Sequence, residues 1–411
     1  MAEPALLFLK TSQGKLRQMP QTPSSDLKHL LPSELDTGTV KQGQITFGNW
    51  RGDADVPEAQ PPHALPPSER IGFAIMGLGR LTLGEILPAF LQCRLAKPVA
   101  LISGRRAKAR SAGHAYGIGE DSLFTYDEIH KLADRPDIQA VYVVTPNALH
   151  AGQVEALAAA GKHVLCEKPM ANSSADAKRM IEACHAAAVK LMVAYRCHYE
   201  PFNQLVRKLV QSGELGRPKL VEAINTQMQG NADQWRLKPE LAGGGALPDI
   251  GLYCLNGTRS VLGEEPESLF AQMVSPPDDP RYKNLDETFS FMLRFPSGVV
   301  ANCATSYGAH ESKDLRIRLE KGWISLENAF AYTGHRLRIG QRQGDHKIVS
   351  EWHIPAGNQF TLEIDHFAKC ILQNHPPRTS GEEGLRDQKL MEALYQSART
   401  GQMIHLPKDA L

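Results

Sequence analysis

Lys168 stands between Glu167 and Pro169, directly after the apolar run HVLC. A lysine at the carboxyl end of a buried strand, beside a positively charged ligand, can serve in proton transfer near neutral pH. A second group of polar residues lies in GGGALPDIGLYCLN, residues 243–256, where Asp249, Tyr253 and Asn256 recur at helical spacing and so share one face. The glycines ahead of them would let the backbone come close to a ligand. Upstream, Trp235 and Arg236 offer an aromatic face and a bidentate donor suited to a sugar ring or a phosphate. The plainer readings are a turn lysine on the surface, and a helix with Asp249 as its N-cap and a locally satisfied Tyr253 hydroxyl. Of the histidines only His150 and His198 fall at strand ends, and no HxH or HExxH spacing points to a metal.

These groups need a scaffold, and its clearest trace is IGFAIMGLGRLTLG, residues 71–84. The apolar run suits a parallel strand covered on both faces, and Gly77 and Gly79 then form the turn that brings a pyrophosphate to the N–H groups of a helix. Thr82 stands where a third glycine is usual. The run PVALI, residues 98–102, reads as the next strand and leads into Ser103-Gly104-Arg105-Arg106-Ala107-Lys108. An acidic residue that would grip a ribose 2′-hydroxyl is missing there; a hydroxyl and several cations suit a 2′-phosphate, so NADP is favoured over NAD.

Strand-like and helix-like segments alternate over residues 70–193, with strands expected at 139–144, 162–166 and 190–194 and helices near 81–94, 105–116, 126–133, 150–160 and 173–188. That pattern predicts a doubly wound parallel sheet whose ligands bind beyond the carboxyl ends of its strands. Residues 194–411 change texture to longer strand-like runs, at 220–228, 268–273, 288–295, 299–306, 315–319 and 336–339, with helices near 360–373 and 382–400. This predicts an α+β domain with a large, mostly antiparallel open sheet, whose bare face would pair subunits as a homodimer or homotetramer. Residues 1–69, rich in Pro, Gln and Ser, read as an extension that cannot build its own core; Leu30, Leu31, Ile45 and Phe47 could anchor it as an arm on another surface.

Composition narrows the partners. Lys+Arg 46 against Asp+Glu 45 leaves a formal charge of +1, which argues against nucleic acid and anionic membranes as partners. No apolar run approaches the roughly 18 residues of a membrane span. The seven cysteines form no CxxC pair, and the N-terminus carries no basic or twin-arginine export signal, so free thiols and a cytoplasmic location are expected.

Together GLG, EKP and DIGLY make the chain resemble the Gfo/Idh/MocA oxidoreductases. ISGRRAKA, TPNALHA, CEKPMA, YRCHYEP, QWRLKPELAGGGALPDIGLYCLNGTR and NQF are similar to its glucose–fructose oxidoreductase branch, over roughly residues 70–411. The resemblance implies an enzyme that oxidises an aldose at C1 to the lactone with tightly bound NADP and can pass the hydride to a second sugar. It implies Lys168, Asp249 and Tyr253 as the catalytic set. Gly77, Leu78, Gly79, Arg80 and Leu81 would line the pyrophosphate, and Ser103 and Lys108 match the 2′-phosphate contacts, with Arg105 as an addition and Gly104 a further cofactor contact. Further cofactor contacts are expected from Tyr126, Pro146, Asn147, Leu149, His150, Glu167, Lys168, Arg196, Trp235 and Arg236. Substrate contacts are expected from Lys168, Arg196, Tyr199, Arg236, Asp249, Tyr253 and Asn256. The branch also has an N-terminal arm that embraces a neighbouring subunit, and residues 50–67 look similar to it. Two alternatives remain open: a conventional NADP-dependent dehydrogenase or reductase of an inositol, keto sugar or anhydro sugar, and an inactive NADP-binding sensor.

Overall fold

The computed structural model describes residues 64–407 and four short strands nearer the N-terminus. The chain divides into two compact units, Met1–His63 and Ala64–Leu411. In the first, β1 (Phe8–Lys10) pairs antiparallel with β2 (Leu16–Gln18), and β3 (Thr39–Lys41) with β4 (Gln44–Thr46). Of the four apolar anchors, Ile45 is exposed at 57%, while Leu30, Leu31 and Phe47 lie outside the described residues. The end of the Pro-rich stretch already belongs to the second unit, where the Leu65 N–H donates to the Arg94 carbonyl at 3.1 Å.

The parallel sheet consists of β5 (Ile71–Met76), β6 (Ala96–Ile102), β7 (Leu123–Phe124), β8 (Ala140–Val143), β9 (His163–Glu167) and β10 (Leu191–Ala194), in the order β10-β9-β8-β5-β6-β7. Every pairing in it is parallel. All six residues of β5 are buried because both faces are covered. Alternate side chains go to opposite layers: Ala74 and Met76 join one cluster, Phe73 and Ile75 another. The connecting helices are α1 (Leu87–Phe90), α2 (Arg106–Tyr116), α3 (His150–Ala159) and α4 (Ser174–Ala186). Two expected α-helices take other forms: residues 126–134 are a 3₁₀ turn held by a Thr125–Glu128 capping box, and a π turn over Thr82–Ile86 precedes the short α1.

After α5 (Pro201–Ser212) comes β11 (Pro218–Thr226), then α6 (Pro239–Ala242), α7 (Leu252–Leu262), and the strands β12 (Ser268–Val274), β13 (Thr288–Arg294), β14 (Val300–Ser306), β15 (Ser312–Leu319), β16 (Gly322–Glu327), β17 (Arg336–Gln343) and β18 (His346–Trp352). Helices α8 (Gln359–Leu372) and α9 (Gly381–Thr400) and a short β19 (Ile404–His405) close the chain. The second sheet has the order β18-β17-β16-β15-β11-β14-β13-β12-β19, and within it only β11 and β14 run parallel. Side chains such as Val221, Ala223, Leu315 and Ile317 are buried, while their neighbours Glu222, Arg316 and Arg318 carry a more open face with Glu222–Arg318, Glu327–Arg338 and Arg336–Glu351 ion pairs. Helix α8 returns to the parallel sheet, where Phe367 meets the Phe73 ring edge-on at 6.3 Å and Phe360 and Ile364 join the same cluster. That return lays α8 along one face of the parallel sheet, with Asp365 accepting from the Leu95 N–H just before β6. No described helix is long and apolar enough to cross a membrane.

Candidate active site

The turn after β5 is built for close approach. Gly77 has φ +94°, and a Cβ there would meet the Val144 carbonyl oxygen at 2.4 Å, so only glycine fits. A Cβ on Gly79 would meet nothing within 4 Å: the space over this turn is open, as a pyrophosphate on the following N–H groups requires. Thr82, standing in for the third glycine, is buried and donates its hydroxyl to the Gly77 carbonyl, tying helix start to turn. At the end of β6, Ser103 is buried, its Oγ accepting from the Arg105 N–H at 3.3 Å, and Tyr126 lies against Gly104. Arg105 and Lys108 are exposed and form no ion pair among the described residues. Such a donor set fits a nucleotide with a 2′-phosphate.

Lys168 follows β9 on a cis Lys168–Pro169 peptide. Its Nζ donates to the Asp249 backbone carbonyl at 2.7 Å and to Asp249 Oδ1 at 3.0 Å. Asp249 belongs to a π turn, Leu247–Gly251, that widens the helix just before α7 and turns the carboxylate toward Lys168. Its Oδ2 accepts from the Tyr307 hydroxyl at 2.7 Å and faces Arg236 Nε at 3.2 Å. Burial alone would raise this carboxyl, but Lys168, Arg236 and the Tyr307 hydrogen bond outweigh it and hold it well below the usual carboxylate range. Tyr253, one turn on in α7, has Lys168 Nζ 4.9 Å and Arg196 Cζ 4.7 Å from its ring centroid. Burial raises its phenol, and Arg196 pulls the other way without cancelling the rise, so Tyr253 carries its proton at neutral pH. Lys168, Asp249, Tyr253 and Arg236 therefore meet across 85 residues of sequence, with Trp235 stacked on Arg236 at 4.6 Å, centroid to Cζ.

Other expected contacts are placed differently. Arg196 is 6% exposed, stacks on Tyr253 and on Tyr332 (4.6 Å), and donates to the Phe330 and Ala331 carbonyls and to Gln359, so its role is to brace the Tyr253 ring. Tyr199, expected at the substrate, instead lies in the core beneath, its hydroxyl sharing a hydrogen with Thr379 Oγ1 at 3.0 Å. The Asn256 amide is turned to protein: both its N–H donors go to Asp387 at 2.8 Å and Glu383 at 3.2 Å, and its oxygen accepts from His198 at 2.7 Å, so it has no donor left for a substrate. His150 is fully buried, its nitrogens against the Thr145, Pro169 and Met170 carbonyls, where it joins the loops after β8 and β9. Asn147 donates to the Ala242 carbonyl at 2.8 Å, Pro146 precedes it, and Leu149 stays exposed at that edge. The glycine run also serves packing: a Cβ on Gly245 would lie 1.9 Å from the Asp286 carbonyl oxygen, so the close approach is to protein backbone. Tyr307 and Tyr332 carry no local mark, since they arrive from strand ends and loops far along the chain; Gln359, in the NQF that opens α8, is marked as a motif but not as a site residue.

The sequence matches two family models: one described as an oxidoreductase family with an NAD-binding Rossmann fold, over residues 71–195, and one described as a GFO/IDH/MocA C-terminal domain, over residues 203–325. It is 33% identical over 341 residues to a D-xylose 1-dehydrogenase [NADP(+)] of Haloarcula marismortui, covering 82% of this chain and 93% of that protein. A levoglucosan dehydrogenase of Pseudarthrobacter phenanthrenivorans is 25% identical over 391 residues, covering 82% and 97%. Among solved structures, the aldose-aldose oxidoreductase of Caulobacter crescentus complexed with glycerol superposes with a TM-score of 0.79 at 39% identity, over 82% of this chain and all of that one.

Proposed function

Because this chain belongs to the GFO/IDH/MocA oxidoreductase family, with both domains of that family in place, we propose that it is an NADP-dependent sugar oxidoreductase that oxidises an aldose at C1 to the lactone. The observation that carries this reading is the convergence of Lys168, Asp249 and Tyr253 at the carboxyl edge of the parallel sheet, the edge that also carries the open turn at Gly79. The names of similar proteins support it: a D-xylose 1-dehydrogenase that uses NADP(+) and an aldose-aldose oxidoreductase.

Ser103, Arg105 and Lys108 would hold the 2′-phosphate of NADP, and the N–H groups after Gly79 its pyrophosphate. The bound nucleotide supplies the hydride acceptor. Arg236 and Asp249 would orient sugar hydroxyls, and Asp249 also fixes the Lys168 ammonium against the Tyr253 ring. In the reductive direction the Tyr253 phenol donates its proton to the carbonyl oxygen; in the oxidative direction Tyr253, having first given up its proton to solvent, takes the proton of the C1 hydroxyl as the phenolate. Lys168 and Arg196, both against the Tyr253 ring, stabilise the phenolate needed for the second case. Retention of the nucleotide between an oxidation and a reduction is part of the proposal, as is self-association through the open face of the larger sheet.

The test is product analysis. Purified protein with NADP and D-xylose or D-glucose should yield the corresponding lactone and reduced nucleotide in equal amounts, and Lys168→Ala should abolish both. Oxidation at a carbon other than C1, or of levoglucosan in preference to any aldose, would support instead the anhydro- or keto-sugar dehydrogenase, to which the levoglucosan relative lends weight. Bound NADP with no turnover of any sugar would indicate a sensor.

A further inference from the structure

A buried acid that the proposed reaction does not use lies beneath its reacting pair. Glu363 sits on α8, one helical turn after Gln359, and is 0% exposed. Glu167, the last residue of β9 and the neighbour of Lys168, is 9% exposed. The Tyr142 hydroxyl lies between the two carboxyls, 2.8 Å from Glu167 Oε1 and 3.3 Å from Glu363 Oε2. Glu167 Oε2 accepts the Lys168 backbone N–H at 3.2 Å, whereas Glu363 Oε1 has no hydrogen-bond partner among the described residues.

Counting protons decides how these groups are charged. A phenol has one hydrogen to donate, and the shorter contact directs it to Glu167. The Tyr142–Glu363 contact then holds a hydrogen only if Glu363 supplies it. An ionised Glu363 would face an oxygen lone pair with one oxygen and nothing with the other, a costly arrangement in a dry interior. Among the described residues Arg196 is the cation that pulls the Glu363 carboxyl down, but its hydrogen bonds run to the Phe330 and Ala331 carbonyls and to Gln359 and none reaches Glu363. The remaining titratable neighbours, Cys197 and Tyr199 in the turn after β10, bring no positive charge.

We propose that Glu363 is a positioning residue that keeps its proton at neutral pH and donates it to the Tyr142 oxygen, so that Glu167 is the single carboxylate behind Lys168. The order Glu363 to Tyr142 to Glu167 fixes the Glu167 carboxylate with one oxygen on the phenol and the other on the Lys168 N–H, which holds the strand end that presents the lysine. Burial raises both carboxyls: at Glu167 it is countered by Lys168, the Tyr142 hydrogen bond and Arg196, whereas at Glu363 burial and the Glu167 charge outweigh Arg196 and the Tyr142 contact and push it well above the ordinary range, in accord with this assignment. The catalytic meaning rests on the reading of Lys168 above; the protonation does not.

The test is infrared spectroscopy of the whole protein at neutral pH. Wild type minus Glu363→Gln should show the C=O stretch of a protonated carboxyl, and Glu167→Gln should keep that band. Glu363→Gln, whose amide can donate as the acid does, should retain turnover, since it removes only the titration. If Glu363→Gln does not fold, Tyr142→Phe serves: removing the acceptor should displace the same band. No acid band in the first difference spectrum, or no response of any acid band to Tyr142→Phe, overturns the proposal. Full activity in Lys168→Ala would sink the catalytic reading and leave the infrared result standing, so the two failures are separable.

Discussion

Replacing Asp249 by asparagine perturbs the site where its electrostatics are most concentrated. The carboxylate meets Lys168 Nζ at 3.0 Å, Arg236 Nε at 3.2 Å and the Tyr307 hydroxyl at 2.7 Å. With the charge removed, two cations face a neutral amide in a pocket where the Lys168 side chain is only 11% exposed. Breaking a buried pair from one side costs about 3–5 kcal/mol, and because the Arg236 side chain is 35% exposed the lower end, about 3 kcal/mol, applies here. At roughly 2 °C per kcal/mol for a large domain, Asp249→Asn should melt about 6 °C below wild type. Because the folded carboxyl titrates below its unfolded value near ~3.9, the stability it contributes is complete above that range and is lost only as pH falls through the folded value. Thermal melts followed by circular dichroism at about pH 8, 6.5 and 5 should therefore show an unchanged gap between the two proteins. A gap under about 2 °C, or one that closes between pH 8 and 6.5, would refute the claim that Asp249 is an ionised, doubly paired group.

Further substitutions separate the roles of the site. Tyr253→Phe should lower kcat by about 10²–10⁴-fold with little change in melting temperature or nucleotide affinity, as measured by steady-state kinetics and titration calorimetry. The double variant Arg105→Ala/Lys108→Ala should weaken NADP relative to NAD by roughly 10–100-fold in kcat/KM, since each charge-assisted contact is worth about 1.5–3 kcal/mol and both side chains are solvated. Gly77→Ala should cost both nucleotide binding and stability, by about 2 kcal/mol or more in a denaturant melt, because a Cβ cannot share space with the Val144 carbonyl at φ +94°. The Tyr253 phenol is raised by burial, so the oxidative rate should climb with pH through the neutral range while the reductive rate stays flat or falls; the opposite slopes would mean that Tyr253 is not the group that moves the proton.

How much of this was legible in the sequence depends on whether a feature is local. The six-residue run IGFAIM announces a strand covered on both sides, and the structure buries all six. The turn at Gly77 follows from its own tripeptide, and Ser103 to Lys108 are grouped because they are consecutive. Spacing along 249–256 placed Asp249 and Tyr253 on one side, although a π turn rather than a regular helix does it, and Asn256 ended in the Arg259–Asp387–Glu383 cluster instead. The glycine run misled because glycine signals close approach without saying to what; here it is the Asp286 backbone. Tyr199 and His150 sit at strand ends like true site residues, yet their polar atoms meet Thr379 and backbone carbonyls. Tyr307, Tyr332 and Glu363 were invisible because sheet register and the return of α8 bring them in from more than 50 residues beyond Tyr253.

The central claim is that this site passes hydride between an aldose and NADP with Lys168 and Tyr253 handling the proton. The most direct measurement is the nicotinamide absorbance of the purified protein, recorded with NADP present, on mixing with a panel of aldoses and then with a second carbonyl sugar. A rise in the reduced band with D-xylose or D-glucose, reversed by the second sugar and absent in Lys168→Ala and Tyr253→Phe, is the result the structure predicts. A protein that binds NADP and leaves the band unchanged with every sugar, or a Tyr253→Phe variant that turns over as wild type does, would contradict it.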